Sequence, residues 1–342
     1  MKFSRCEVQN AIGHKLAHSH LGKSRRIPKA STLSETDVRD LIEAGVDSVE
    51  IVIAEAFDVI EDVVAERLIG QMDWKNCRAE RANGGRVNIY TTCDGLIHFE
   101  RGEIDRFNSI SEEITLATVL PDTPVQAGDH VATLKIIPFY VHDKFVGEAE
   151  RFLQSMTVSV MPWLTDLRVE LVQSYNETIT TKVQKKGYQT QRDRLAFYGL
   201  TELPHSLVEH DVVQIAEQIH RASLREVNLV MVLGASAICD RQDVVPAALT
   251  SLGGHVSYFG MPVDPGNLMM VGHLDTMVVI GMPGCVRSPA FNGLDLVLDR
   301  LMAGLKLDPR QIQMMGVGGL LKDQPNRIIR ETTSQKLLDL SA

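Results

Sequence analysis

The chain has 342 residues, a formal net charge of −9, 44% apolar residues and 23% charged residues. This is the composition of a folded globular protein with more than one core, and it excludes a disordered, fibrous or generally nucleic-acid-binding chain. The five cysteines are dispersed without a CxxC pair, which indicates neither a disulfide framework nor a zinc site; with no signal-peptide core and no run of roughly 18 apolar residues, a cytoplasmic protein without a membrane partner is expected.

Residues 1–75 read as an N-terminal α+β unit. It opens on a basic segment, GHKLAHSHLGKSRRIPKAS, whose His14, His18 and His20 can ligate a metal, bind an anion together with the neighbouring Lys and Arg residues, or form a solvated face. His14 and His18 suit a metal only on a helix, whereas Gly13, Gly22 and Pro28 point to strand and turn. Ser34 or Thr36 is placed to cap a short helix over residues 37–44 that Gly45 stops, and SVEIVI follows as a strand. Across DVIEDVVAERLIGQM, residues Ile60, Val63, Val64, Arg67 and Leu68 follow helical spacing up to Gly70.

Residues 76–150 read as a small β-rich unit. The runs GGRVNIYTT, GLIHFERG, ITLATVL and HVATLKIIPFYV are short and separated by Gly, Asp and Pro, with a turn at residues 121–124. A connecting helix containing GEAERFLQSM is expected within residues 145–160.

Residues 165–305 alternate short apolar runs (VELVQS, LVMVLG, VSYFGM, TMVVIGMPG) with helical segments, of which HDVVQIAEQIHRAS, DVVPAALTSLGG and FNGLDLVLDRLMAGL are the clearest. That alternation predicts an α/β domain with a doubly wound, mostly parallel sheet. Residues 306–342 form a C-terminal extension.

In an open parallel sheet, ligands bind beyond the carboxyl ends of the strands, so three loops are candidates. In the first, the small residues Gly234, Ala235 and Ser236 let backbone N–H groups approach an anion, Asp243 is placed to cap the next helix, and Pro246 fits its first turn. Asp240, with Asp243, can hold a hard cation such as Mg2+; both acids can equally serve only to cap and solvate the loop. The second loop offers Pro262, Asp264, Pro265 and Gly266, and the third Gly281, Pro283 and Gly284. Arg287 and Ser288 are expected to open the following helix and hold a phosphate there. Cys285 raises a nucleophile reading, but no partner His lies nearby in sequence, and a buried small cysteine is the alternative.

The run LVMVLGASAICDRQDVVPAALTSLGGHVSYFGMPVDPGN, followed by VIGMPGCVRSP, resembles the molybdopterin-binding domain of molybdopterin adenylyltransferases and molybdotransferases. GHKLAHSHLGKSRRIPKASTLSETDVRDLIEAGVDSVEIVIAE, ITLATVLPDTPVQAGDHVATLKIIPFYV and GVGGLLKDQPNR extend the likeness to molybdopterin-binding proteins that are joined to a cytidylyltransferase domain. The chain departs from the pattern at four points. Gly234-Ala235-Ser236 replaces Gly-Gly, Asp240 and Asp243 are one residue further apart than Asp-x-Asp, Asn267 replaces a Lys, and Cys285 replaces an Asn. The nucleotidyltransferase signature itself is absent.

The resemblance implies a protein that binds molybdopterin, a pyranopterin phosphate, in molybdenum cofactor biosynthesis. It would act as a transferase using Asp240 and Asp243, with Mg2+ on the same two residues, or as a carrier. A carrier would serve a separate cytidylyltransferase or a molybdoenzyme. The resemblance also implies a homo-oligomer, with the helices at 212–222 and 291–305 available for the contact. The alternative is a Mg2+-dependent nucleotide pyrophosphatase of the competence/damage-inducible type, or a non-catalytic partner subunit.

Overall fold

A computed structural model of the chain describes residues 1–322; the part of the expected C-terminal extension from residue 323 onward lies outside the described residues. The chain is mixed α/β, with parallel and antiparallel sheets, and divides into two compact units, Met1–Pro162 and Trp163–Ala342. Among the described residues no helix is long and apolar enough to cross a membrane.

The first unit runs β1 (Lys2–Glu7), β2 (Lys15–Leu16), β3 (His20–Leu21), β4 (Arg26–Ile27), α1 (Glu35–Glu43), β5 (Ser48–Ile53), β6 (Asp58–Ile60) and α2 (Glu61–Ile69). It continues with β7 (Asp73–Lys75), β8 (Cys77–Ala79), β9 (Arg86–Thr91), β10 (Gly95–His98), α3 (Arg101–Asn108) and β11 (Ile114–Thr118). It ends with β12 (Thr123–Val125), β13 (His130–Ile136), β14 (Tyr140–His142), α4 (Asp143–Leu153) and β15 (Thr157–Pro162). Its sheets have the orders β1-β5-β2, β12-β10-β15-β7 and β11-β13-β9-β8, with two-stranded pairs β14-β6 and β3-β4.

The predicted helix after Ser34 is α1. Ser34 accepts from the Asp37 backbone N–H while Asp37 accepts from the Ser34 backbone N–H, a reciprocal capping box. The second predicted helix starts at Glu61, one residue after Ile60, the first apolar position of its pattern, because Asp58–Ile60 is drawn into pairing with Tyr140–His142. The connecting helix is α4, which stops at Leu153; residues 157–162 instead form β15, which pairs with both β10 and β7. Residues 121–122 turn, but Thr123 already belongs to a strand. One helix, α3, lies inside the stretch read as β-rich, where Ile104 and Phe107 enter the core with Leu68 and Val158.

The N-terminal histidines lie on strand and turn, as Gly13, Gly22 and Pro28 suggest. Gly13 has φ +79°, His20 is in β3, and the exposed His18 ring pairs with Glu50 at 2.9 Å. The helical i, i+4 arrangement of His14 and His18 is therefore not formed.

The second unit runs β16 (Val169–Tyr175), α5 (Thr181–Ala196), β17 (His205–Glu209), α6 (Val212–Leu224), β18 (Leu229–Leu233), α7 (Val244–Ser251), β19 (His255–Phe259), β20 (Met270–Leu274), β21 (Met277–Met282), α8 (Gly293–Met302) and α9 (Pro309–Met314). These strands form one six-stranded sheet in the order β17-β16-β18-β21-β20-β19. The pairings β16–β17, β16–β18 and β18–β21 are parallel. β20 is antiparallel to both of its neighbours, a strand that the sequence reading did not single out. It turns back into β21 through Asp275, which takes φ +53°.

The strands alternate their side chains between two apolar clusters, as a sheet buried on both faces requires. Leu171, Met231 and Ile280 pack with Leu195 and Val297, whereas Val172, Val230 and Val279 pack with Ile215, Val245 and Leu249. All five residues of β18 are buried, and it shares the middle of the sheet with β21.

Candidate functional site

After β16 the chain crosses to β17 at one edge, and after β18 it leaves towards β19 at the other edge. The crevice between the carboxyl ends of β16 and β18 is thus where the connections diverge, the position at which such sheets admit ligands. In register, Gln173 lies level with Leu233. Ser174 and the loop beginning at Gly234 come next.

The first loop is held from both sides. Ala235 N–H donates to Ser174 Oγ at 3.0 Å, and Ser174 Oγ lies 2.8 Å from His210 Nδ1. On the other side of the ring, His210 Nε2 lies 2.6 Å from Ser236 Oγ. Burial lowers the His210 pKa below the ordinary histidine value, while the Asp243 carboxylate pulls it upward more weakly. The backbone N–H groups of Ser236, Ala237 and Ile238 have no protein acceptor among the described residues. A run of unengaged N–H groups at a strand end is a feature that accepts anions.

Asp243 occupies the position before α7 but its side chain does not cap that helix. Instead Oδ2 accepts from the N–H groups of Cys239 and Asp240, at 2.5 and 2.9 Å. The carboxylate reaches backwards because the loop that precedes it folds over it, leaving the first turn of α7 to Pro246, which has no N–H to satisfy. Asp240 Oδ1 accepts from Gln242 N–H at 2.7 Å, an Asx turn. Among the described residues, no group of three or more His, Cys, Asp or Glu side chains could hold a metal.

The third loop approaches the first. Arg287 Nη2 donates to the Gly234 carbonyl at 2.7 Å, and burial lowers the guanidinium pKa. Arg287 and Ser288 do not open α8. They end a short 3-10 turn, and the helix starts at Gly293, capped by Asn292 in a box with Asp295. Helix α5 fixes this loop through its main chain: Gln191 Nε2 donates to Val286 O, and Arg194 donates to Val286 O, Ser288 O and Ala290 O. Gly187, also on α5, lies over the crevice, where a Cβ would meet Gln173 Nε2 at 2.5 Å and Leu233 Cδ2 at 3.1 Å. Gln173 is buried, and its Oε1 has no hydrogen-bond partner among the described residues.

Other predicted residues have packing neighbours. Gly281 is inside β21, where a Cβ would strike Ile238 Cδ1 at 2.6 Å. Pro283 is buried and Gly284 exposed at the start of the 3-10 turn. Cys285 is exposed as a residue, not buried; protein around its sulfur nonetheless raises the thiol pKa, which makes it a poor thiolate nucleophile.

The second loop is tied to neighbouring backbone. Asp264 N–H donates to Gly319 O, Leu321 N–H donates to Asp264 O, and Gly293 N–H donates to Pro265 O. Pro262 is exposed, and Gly266 is buried against Gly293.

Sequence reasoning missed Ser174 and His210. Both follow the rule of strand carboxyl ends, but His210 could be found that way only once His205–Glu209 was known to be a strand.

No family model matches the sequence, and no curated protein matches it. Among solved structures, the chain is similar to the crystal structure of the molybdopterin biosynthesis MoeA protein from Pyrococcus horikosii. The TM-score is 0.26 at 10% identity, covering 83% of this chain and 70% of that one.

Proposed function

We propose that the second unit binds a phosphorylated pterin of the molybdopterin type, in a doubly wound α/β frame, with the phosphate at the end of β18. The observation that carries this reading is the set of unengaged N–H groups at Ser236, Ala237 and Ile238, next to an Arg287 guanidinium that is already anchored on Gly234. Backbone donors together with a partly buried cation suit a phosphate. The ordered motifs GASAICDRQD, PVDPGN and GMPGC, whose resemblance to molybdopterin-binding domains is described above, supply the pterin part of the reading.

Asp240 and Asp243 each engage one carboxylate oxygen with backbone and keep a second. Those oxygens are the hard donors a phosphate-bridged Mg2+ takes, usually from one or two carboxylates. A transferase needs this cation and a nucleotide; a carrier that hands the pterin to a cytidylyltransferase or molybdoenzyme needs neither. Since Asp243 is committed to holding the loop, Asp240 is the better cation ligand of the two.

The test is to purify the full chain from cells that make molybdenum cofactor, oxidise it, and measure released pterin fluorescence. Near-stoichiometric pterin is expected, with about a tenfold loss in Arg287→Gln, the effect of removing one charge-assisted contact. A folded wild-type protein without pterin, which also fails to take it up when supplied, would end the proposal.

A further inference from the structure

Ser174, His210 and Ser236 form one hydrogen-bonded line. His210 lies between the two hydroxyls, 2.8 Å from one and 2.6 Å from the other. The ends of the line differ: Ser174 is 2% exposed, whereas Ser236 is open to solvent. Ser174 Oγ already accepts the Ala235 N–H. Its second lone pair can take an Nδ1–H, which leaves Nε2 without a proton and facing the Ser236 hydroxyl. A serine hydroxyl becomes an effective nucleophile when an adjacent neutral base takes its proton and a third group orients that base. Nucleophile, base and orienting group are all present here, with the base and orienting group on fixed positions beside two parallel strands.

We propose that Ser236 is a catalytic nucleophile, with His210 as general base and Ser174 as positioning residue, and that the site hydrolyses small carboxylic esters. Ser236 Oγ bonds to the acyl carbon while its proton passes to His210 Nε2. The ester C–O bond breaks, and the leaving alkoxide takes that proton. Water then attacks the acyl-serine, giving a proton to Nε2, and the departing Ser236 oxygen recovers it as the carboxylic acid is released. The developing oxyanion falls to the unengaged backbone N–H groups after Ser236, since the residue following a nucleophilic serine is a common source of such a donor. The imidazolium formed in each half-reaction is favoured by the Asp243 carboxylate, and the ring is otherwise kept neutral by burial. An ester fits better than an amide because its leaving group asks less of the acid step. The proposal does not rest on pterin binding.

The experiment treats the full chain with a fluorophosphonate probe and with p-nitrophenyl acetate at pH 7.5, then maps the label by peptide mass spectrometry. Expected are one label on Ser236, a matching burst of p-nitrophenol, and loss of both in Ser236→Ala. His210→Gln should slow labelling by at least about 100-fold, the lower range for general-base catalysis. Ser174→Ala should slow it less and move the acid limb of the pH–rate profile to lower pH, because the imidazolium loses an acceptor; a packing role alone would leave that limb in place. Circular dichroism of each variant verifies folding. No label on Ser236 in the folded wild-type chain, or labelling of folded His210→Gln at the wild-type rate, overturns the proposal.

Discussion

Arg194 and Asp295 form an ion pair at 3.0 Å with their side chains only 6% and 5% exposed. The remaining guanidinium N–H groups donate to Gln191 Oε1 and to three carbonyls of residues 286–290, while the other Asp295 oxygen accepts the Asn292 N–H. One pair therefore joins α5, the third loop and the first turn of α8.

Arg194→Met should destabilise the protein by about 3–5 kcal/mol, the usual effect of breaking a buried ion pair by removing one member. Denaturant unfolding of the variant measures it. A loss below about 1 kcal/mol would mean that water replaces the arginine, against the burial described, since an exposed pair is worth no more than that.

Gly266→Ala should be costly for two reasons. The residue has φ +136°, and a Cβ would lie 2.7 Å from Gly293 N. Strain and overpacking together predict about 3 kcal/mol. Gly253→Ala is the control: its φ of +82° is strained, but nothing lies within 4 Å, so about 1–2 kcal/mol is expected from the backbone alone. Thermal melts of both variants compare the terms, and equal losses would remove the steric part.

Stability should fall as pH drops through about 6.5, the ordinary histidine value. His205, His210 and His273 all have lowered pKa values, chiefly because burial disfavours the imidazolium. Above this window both folded and unfolded chains hold these rings neutral, so the shifts contribute nothing. Below it the unfolded chain binds protons that the folded one resists, which favours unfolding. All three lie in the second unit. Melting followed between pH 7.5 and 5.5 should show that unit losing stability; a flat profile would contradict the shifts.

Asp243→Ala should release the Cys239 and Asp240 N–H groups and speed their hydrogen exchange, whereas Asp240→Ala should leave the Cys239 amide protected. If Asp240 holds Mg2+, its alanine variant also loses the Mg2+-dependent part of ligand affinity while folding normally. Exchange mass spectrometry and ligand titration with and without Mg2+ separate the two roles.

Local signals in the sequence were reliable where the structure is local. The cap at Ser34, one of the two residues offered for it, the stop at Gly70 and the apolar run of β18 depend on neighbours within a few residues, although α1 starts at Glu35, two residues before the expected position. Features set by distant pairing were not legible. Asp58–Ile60 continues the helical pattern of α2 but pairs with residues some eighty positions on, and Met270–Leu274 becomes a strand only because β19 and β21 flank it. At the site, the Asn292–Asp295 spacing was a usable cap signal that places the helix start after Arg287 and Ser288. The backward turn of Asp243 had no comparable sign, since an aspartate before a helix ordinarily caps it.

The central position of β18 also orders the events of synthesis. Its partner on one side, β16, precedes it in the chain, but its partner on the other, β21, is not complete until residue 282 has left the ribosome. During the interval β18 presents a row of unpaired backbone groups and an apolar surface on both faces, the combination most prone to pairing with another chain. Chaperone dependence and aggregation on overexpression should therefore be greatest in nascent chains that end between β18 and β21, and should fall once β21 closes that edge.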